Sequence, residues 1–382
     1  MAGSPANSHS CSGDARAGEA ACNAAAVTRG SSPAASDPLP LYDRKCVKFS
    51  VIICTYNYGH LLPDALRSVA AQTSRDFELL VVDDGSTDKT EDVATRFSGS
   101  FPEYRYIKKP HTGLADSRNE GVRAATGTHI AFLDADDLWA PSYLEAVRSV
   151  FQADPQVDLV YGNARMVAAS GRVLQLFFPA GLTPFCGRVQ TARQLFEFFP
   201  YTTPSATAFS RTLHQRVGAY DSRFPVSGED LDWVIRAALQ GALLARLDRP
   251  LVLQRMHGGN LTAECDWLVE AWLSIYSKTL QPGARDWNVR GLAQARTWKW
   301  LLPSLARYSP RRGRQLVAAA RKVFPQDSLL RAAYFSTYFG TPYMLRAARW
   351  LKRSLKAGAG SRIDLSAPPE ALFASLAREV DS

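Results

Sequence analysis

The chain is predicted to form an α/β fold, a sheet with helices on both faces followed by a mainly helical C-terminal extension. Two observations predict it. Strand and helix patterns alternate with short connections through residues 48–162, as in βα units on a parallel sheet. Acidic and polar clusters then fall where apolar strands end, the place where open α/β sheets bind ligands.

Phe49–Ile53 reads as the first buried strand, and Leu61–Thr73 has helical spacing through Leu62, Leu66 and Val69. Phe77–Val82 is the second strand. Ser86, Thr87 and Asp88 then supply cap residues for a helix running to about Phe97. Tyr104–Ile107 is a short third strand, Leu114–Ala125 a helix closed by Gly127, and Thr128–Leu133 the fourth strand. Tyr143–Phe151 returns as a helix and Val157–Tyr161 as a strand. From Gly162 to Arg255 the pattern changes to short strands, the connection Pro200-Tyr201-Thr202-Thr203-Pro204, a helix over Glu229–Gln240 and a strand over Leu251–Met256. Beyond Cys265 nearly everything reads as helix, punctuated near Pro282, Pro303, Pro310 and Pro325. Residues 1–45, rich in Ala, Ser and Gly, read as a disordered tail with neither the basic start nor the apolar core of a secretory signal.

A hydrophobic share of 46% and a charged share of 21% are ordinary for a globular protein. No run reaches the ~18 apolar residues of a transmembrane helix. Six cysteines without CxxC or finger spacing fit unpaired thiols in a reducing compartment. The net charge of +9 is unevenly placed: residues 265–382 hold 19 Lys and Arg against 8 Asp and Glu. There Arg311, Arg312, Arg314, Arg321 and Lys322 form one cluster, and Arg346, Arg349, Lys352, Arg353 and Lys356 another. Two readings stand: packing helices with solvated basic faces, or peripheral contact with an anionic membrane. Nucleic-acid binding is not expected, since no reading module is present.

The chemistry concentrates in Ile130-Ala131-Phe132-Leu133-Asp134-Ala135-Asp136-Asp137, an apolar strand that runs straight into three carboxylates. In extended chain Asp134 and Asp136 would project to one side, where two hard oxygen donors can hold Mg²⁺ or Mn²⁺ and, through it, a diphosphate. Cys54-Thr55-Tyr56-Asn57 ends the first strand as a polar exit able to meet a base and a sugar. Asp83-Asp84-Gly85-Ser86 ends the second, with a carboxylate able to accept from a base N–H. Arg118 is placed either to pair with a phosphate or to order the acid cluster. Glu229-Asp230 opens a helix, a position its dipole favours, and Asp230 there can serve as a general base. His257 leaves the last strand as a third metal ligand or a phosphate contact.

Val51-Ile52-Ile53-Cys54-Thr55-Tyr56-Asn57, Leu80-Val81-Val82-Asp83-Asp84-Gly85-Ser86-Thr87, Gly113-Leu114-Ala115-Asp116-Ser117-Arg118-Asn119, Asp134-Ala135-Asp136 and Gly228-Glu229-Asp230-Leu231-Asp232-Trp233 together resemble family-2 glycosyltransferases of the GT-A fold. The resemblance covers about residues 47–264. It implies a Rossmann-like nucleotide-sugar-binding half over 46–162 and an acceptor-side half over 163–264, and residues 265–382 follow outside it as a basic helical region. It also implies inverting transfer from a nucleotide-diphosphate sugar to a glycan or lipid-linked acceptor, as in cell-surface polysaccharide synthesis. Location would be cytoplasmic, or peripheral at the inner face of the cell membrane. Cys54, Thr55, Tyr56, Asn57, Asp84, Gly85, Arg118 and Asp134 would form the donor site, with Asp134 on the ribose. Asp136 and His257 would hold the metal, Asp230 would be the base, and Glu229 its neighbour. Cys54 departs from relatives that carry a hydroxyl there.

Two alternatives are weighed. An aspartate-nucleophile phosphatase wants Thr or Val where Leu138 stands. A catalytically silent nucleotide-sugar-binding scaffold of the same fold has no need of Asp230.

Overall fold

The computed structural model describes residues 47–168, 173–176, 185–191, 194, 203–224, 228–257, 272–277, 297, 301 and 310–336. The tail, Tyr201, Thr202, the loop 258–260 and the second basic cluster lie outside the described residues.

One ten-stranded mixed sheet organises the molecule. Its first part is parallel: β3 (Tyr104–Lys108), β2 (Phe77–Asp83), β1 (Phe49–Thr55) and β4 (His129–Asp134), in that spatial order. Register brings Thr55 opposite Asp83 and Cys54 opposite Asp134, so the polar exits of three strands end side by side. Side chains alternate across this sheet. Ile52, Leu80, Val82, Ile130 and Phe132 are buried on one face with Ala115 and Val122 of α3 (Leu114–Ala124). Val51, Ile53, Leu79, Val81 and Leu133 are buried on the other face. Their neighbours there are α1 (Leu62–Ala70), α2 (Thr90–Arg96) and α4 (Tyr143–Ala153). Each of these fully buried aliphatic side chains contributes roughly 1.5–3 kcal/mol.

The sheet does not continue as a parallel one. β6 (Leu159–Ala168) does not pair with β4; β9 (Thr207–Ser210) inserts between them, antiparallel to both. Order then runs to β10 (Leu243–Met256) and the short β5 (Leu138–Trp139), while β7 (Val173–Leu176) and β8 (Gly187–Arg188) pair on β6 and β10. β10 is 14 residues long, with an irregularity between Leu247 and Val252, where the sequence suggested only a strand from Leu251. The charged stretch Arg246, Asp248, Arg249 hides its first part from a periodicity argument. α5 (Arg211–Val217) follows β9, and α6 (Glu229–Leu239) precedes β10. Two further helices, α7 (Pro310–Val323) and α8 (Ser328–Ser336), send Leu316, Val317, Ala320 and Leu330 into the same apolar cluster as α6.

Two glycines hold the site-bearing elements close. At Gly127, a Cβ would lie 2.7 Å from the Lys48 carbonyl and the Ser50 amide. At Gly121, a Cβ would lie 2.5 Å from Ile52 Cγ2, so glycine lets α3 settle against β1 and carry Arg118 inward.

Candidate active site

The end of β4 turns sharply. The Asp137 amide donates to the Asp134 carbonyl at 3.0 Å, so the chain is not extended across Asp134-Ala135-Asp136. The turn separates the two carboxylates that an extended chain would hold together. Asp134 faces Arg118, whose Nη2 donates to it at 3.2 Å. Asp136 faces His257, with Nε2 and Oδ2 3.0 Å apart. Tyr58 stands edge-on to His257, ring centroids 5.8 Å apart.

Arg118 is buried, and it orders the acids. Its Nη1 donates to Glu229 in a short bond, and its guanidinium lies over the rings of Phe132 and Tyr220 at 5.6 and 6.0 Å. One atom of each partner is left over: Arg118 Nε and Glu229 Oε2 are buried with no hydrogen-bond partner among the described residues. Burial raises Glu229 to about 7, with Arg118 opposing and Asp230 adding to the rise. Asp230, half-buried at the start of α6, is also raised by burial against the pull of Arg118. Its Oδ1 accepts from the Leu231 amide at 2.8 Å. A small recess opens beside it, lined among others by Arg118, Thr203, Tyr220, Asp230 and Trp233.

At the other strand ends the residues divide between cleft and scaffold. Tyr56 is exposed and stacks on His111, centroids 4.0 Å apart. Asn57 takes a left-handed conformation at φ 57° and pins two loops, donating its amide to Ser86 Oγ and accepting from the Thr87 amide, each at 2.8 Å. Thr55 is buried, and its Oγ1 has no hydrogen-bond partner among the described residues. Cys54 packs into the apolar face, and burial pushes its thiol up to about 12, so the structure does not bring it to the open cleft. Asp84 is buried beneath the loop 109–113. Its carboxylate accepts from the Thr112 and Gly113 amides at 3.0 and 2.9 Å and from Lys109, and His111 Nδ1 lies 2.8 Å from it. Burial pushes Asp84 upward, but Lys109 and the two amides outweigh it and hold the carboxyl below its usual range. Gly85, at φ 80°, is required there: a Cβ would meet the His111 amide at 3.0 Å.

Sequence reasoning missed Lys109, His111 and the task of Asp137. Buried Asp137 accepts from Ser205 Oγ at 2.6 Å and from the Arg255 amide at 3.1 Å. The same Ser205 oxygen accepts from the Asp134 amide at 3.1 Å. Asp137 thus ties the β4 turn to the segment lining the recess and to the end of β10, two residues before His257. Its position directly after Asp136 was the only available signal.

Asp136 and His257 form a carboxylate–imidazole pair with both side chains mostly buried, a donor set that suits a divalent ion with diphosphate oxygens or water completing its shell. No cluster of three or more such side chains occurs among the described residues. Burial and the neighbouring Asp134 raise Asp136, while His257 opposes the rise.

Parallel strand ends, a buried Arg between carboxylates and an acid opening a helix beside a recess lie together on a GT-A-like sheet. The glycosyl transferase family 2 profile matches residues 50–218. A PGL/p-HBAD biosynthesis glycosyltransferase of Mycobacterium bovis is 34% identical over 216 residues, 56% of this chain and 78% of that protein. The chain therefore belongs to glycosyl transferase family 2 and is a glycosyltransferase. An uncharacterised glycosyltransferase of Nostoc is 41% identical over 128 residues, 32% of this chain and 40% of that relative's length. Residues 1–349 of S. aureus TarS, crystallised in complex with UDP, share the fold at a TM-score of 0.58 and 18% identity, covering 83% of this chain and 94% of that one.

Proposed function

We propose that the protein moves a sugar from a nucleotide-diphosphate sugar to an acceptor hydroxyl with inversion, with Asp230 as general base. The observation that supports this best is the placement of Asp230: half-buried, on the wall of the recess, and in one charge cluster with Arg118, Glu229 and Asp134. A carboxylate whose pKa is raised by burial is a better proton acceptor than one in water. Asp230 takes the acceptor's proton as its oxygen attacks the anomeric carbon from the face opposite the leaving diphosphate, and a single displacement inverts the centre. Arg118 fixes Glu229 and Asp134 on either side of that path. Tyr56 offers a ring face to the base at the mouth of the cleft, and Asp84, Gly85 and Asn57 shape the loop beneath it. Asp134 reaches the ribose side.

Asp136 and His257 would hold Mg²⁺ or Mn²⁺, and the ion would neutralise charge developing on the departing nucleoside diphosphate. TarS was crystallised with UDP, which makes UDP-sugars the first donors to test. A relative assigned to PGL/p-HBAD biosynthesis supports an acceptor in lipid-linked or cell-surface glycan synthesis. Peripheral contact with an anionic membrane fits α7, which carries Arg311, Arg312, Arg314, Arg321 and Lys322 and no acidic residue. No helix among the described residues is long and apolar enough to cross a membrane.

The test is Asp230→Asn. Turnover should fall by about 10²–10⁴-fold while nucleotide affinity is kept. A wild-type transfer rate would overturn the base assignment. Chelation, or Asp136→Ala, should instead weaken donor binding.

A further inference from the structure

At the mouth of the cleft the chain lays one of its own rings on Tyr56. The tyrosine is exposed, and the His111 imidazole stacks on it with centroids 4.0 Å apart and planes 18° from parallel. At the edge of that ring, His111 Nδ1 lies 2.8 Å from Asp84 Oδ2 and 3.1 Å from the Asp84 carbonyl oxygen. Both neighbours are acceptors. Burial raises the Asp84 carboxyl, but Lys109 and the Thr112 and Gly113 amides outweigh it and hold the group ionised. Nδ1 is therefore the nitrogen that carries the hydrogen. The result is a planar heterocycle that stacks on a tyrosine and aims a ring N–H at a carboxylate. Uracil, through N3–H, and guanine, through N1–H, have the same two features.

The groups around the Asp84 carboxylate are not equally fixed. Thr112 and Gly113 donate through backbone amides just before α3, at 3.0 and 2.9 Å. Lys109 Nζ is tied to its own loop, donating also to the Pro110 carbonyl at 3.1 Å and to Thr112 Oγ1 at 2.6 Å. The loop backbone sits against Gly85, where a Cβ would lie 3.0 Å from the His111 amide nitrogen. The His111 side chain is the exception. It is 55% exposed, and among the described residues only Tyr56 and Asp84 hold its ring. Rotation about its side-chain bonds carries the ring into solvent while the loop stays in place. With the ring seated, the Asp84 side chain is only 6% exposed. Swinging the ring out uncovers Asp84 Oδ2 and one face of Tyr56 together.

We propose that His111 occupies the place of the nucleobase and that a donor nucleotide enters by displacing it. The base then stacks on Tyr56 and donates its ring N–H to Asp84 Oδ2. His111 is thus a built-in competitor that lowers the affinity for nucleotide. It also keeps a buried carboxylate satisfied before the nucleotide arrives, by supplying the N–H that the base would bring. This rests on the nucleotide-sugar donor proposed above.

The experiment compares UDP and GDP by titration calorimetry on the full chain and on His111→Ala. Affinity is reduced by the fraction of time the ring leaves the site open, so the variant should bind the preferred nucleotide about three- to tenfold more tightly. A histidine that held the base by direct contact would give the opposite sign. Equal or weaker binding by the variant would therefore overturn the proposal. Proton NMR of the wild-type chain reads the ring itself, with the variant spectrum identifying its signals. Stacked on Tyr56, the His111 ring protons are shifted upfield by the tyrosine ring current. At saturating nucleotide they should move back toward free-histidine positions, and signals that stay shielded would overturn the proposal whatever the affinities. If neither nucleotide bound wild type or variant, the donor reading itself would fail, and this inference with it.

Discussion

Glu78 and Glu229 are two buried glutamates at opposite ends of the molecule's chemistry, each paired with an arginine. Glu78 enters β2, and both of its oxygens are hydrogen-bonded. Its Oε1 takes Ser50 Oγ at 2.6 Å, Thr126 Oγ1 at 2.8 Å, the Gly127 amide at 3.2 Å and the Thr126 amide, and Oε2 takes Arg105 at 2.6 Å. Burial alone would raise it; Ser50, Thr126 and Arg105 together hold it down at about 2. Glu229 is just as buried, yet one oxygen has no partner among the described residues and burial raises it to about 7. Burial is common to both. The difference lies in satisfaction: the acid that holds the sheet together is saturated, and the acid beside the candidate base is left wanting.

The largest expected contrast is in turnover. Asp230→Asn should cost about 10²–10⁴-fold in transfer and little in melting temperature. Glu78→Ala should do the reverse. It strands the donors of Ser50, Thr126 and Gly127, costing on the order of 3 kcal/mol of stability, while the folded fraction keeps its rate. Denaturation curves alongside kcat for both variants check the pair, and a large rate loss in folded Glu78→Ala would break the contrast.

A second contrast is in pH dependence. An acid whose folded pKa lies above its unfolded value binds more protons folded, so stability falls as pH rises between the two. For Glu229 that window runs from its ordinary value of 4.5 up to about 7. For Glu78 the sign is opposite: its contribution is full above 4.5 and is lost as pH falls toward about 2. Melting profiles of Glu229→Gln should therefore lose the decline across the upper window, and those of Glu78→Gln the decline across the lower one. The same slope in wild type and variant would contradict the assignment.

How much of this was legible follows from the range of the interactions. The exits Thr55-Tyr56-Asn57, Asp83-Asp84-Gly85 and Asp134-Ala135-Asp136 announce themselves, because strand-to-loop chemistry is local. Glu229-Asp230 is legible for the same reason, as acids opening a helix. What depends on distant chain was not. Nothing in Thr207-Ala208-Phe209-Ser210 says that it will slip between β4 and β6, since that pairing is decided by partners 81 and 50 residues away in the register His129 to Ser210 and Leu159 to Phe209. Lys109 and His111 reach Asp84 only once the loop after β3 folds back. The turn at Ala135 also sends Asp134 and Asp136 to different partners, where an extended chain would keep them together.

The smallest expected effect lies where the two kinds of acid meet, at Asp137. It is buried and bonded like Glu78, but it touches the site through Ser205 and Arg255. Asp137→Asn keeps one acceptor and loses charge. It should raise KM for the donor by a few-fold through the β4 turn, with kcat nearly unchanged, as steady-state kinetics would show.

The contrast itself is tested most directly by carbon-13 NMR of the glutamate carboxyls across a pH titration. One glutamate should titrate near pH 7, and its signal should vanish in Glu229→Gln. If every glutamate titrated below about pH 5, Glu229 would be as well satisfied as Glu78, and the distinction between a structural and a functional buried acid in this protein would fail.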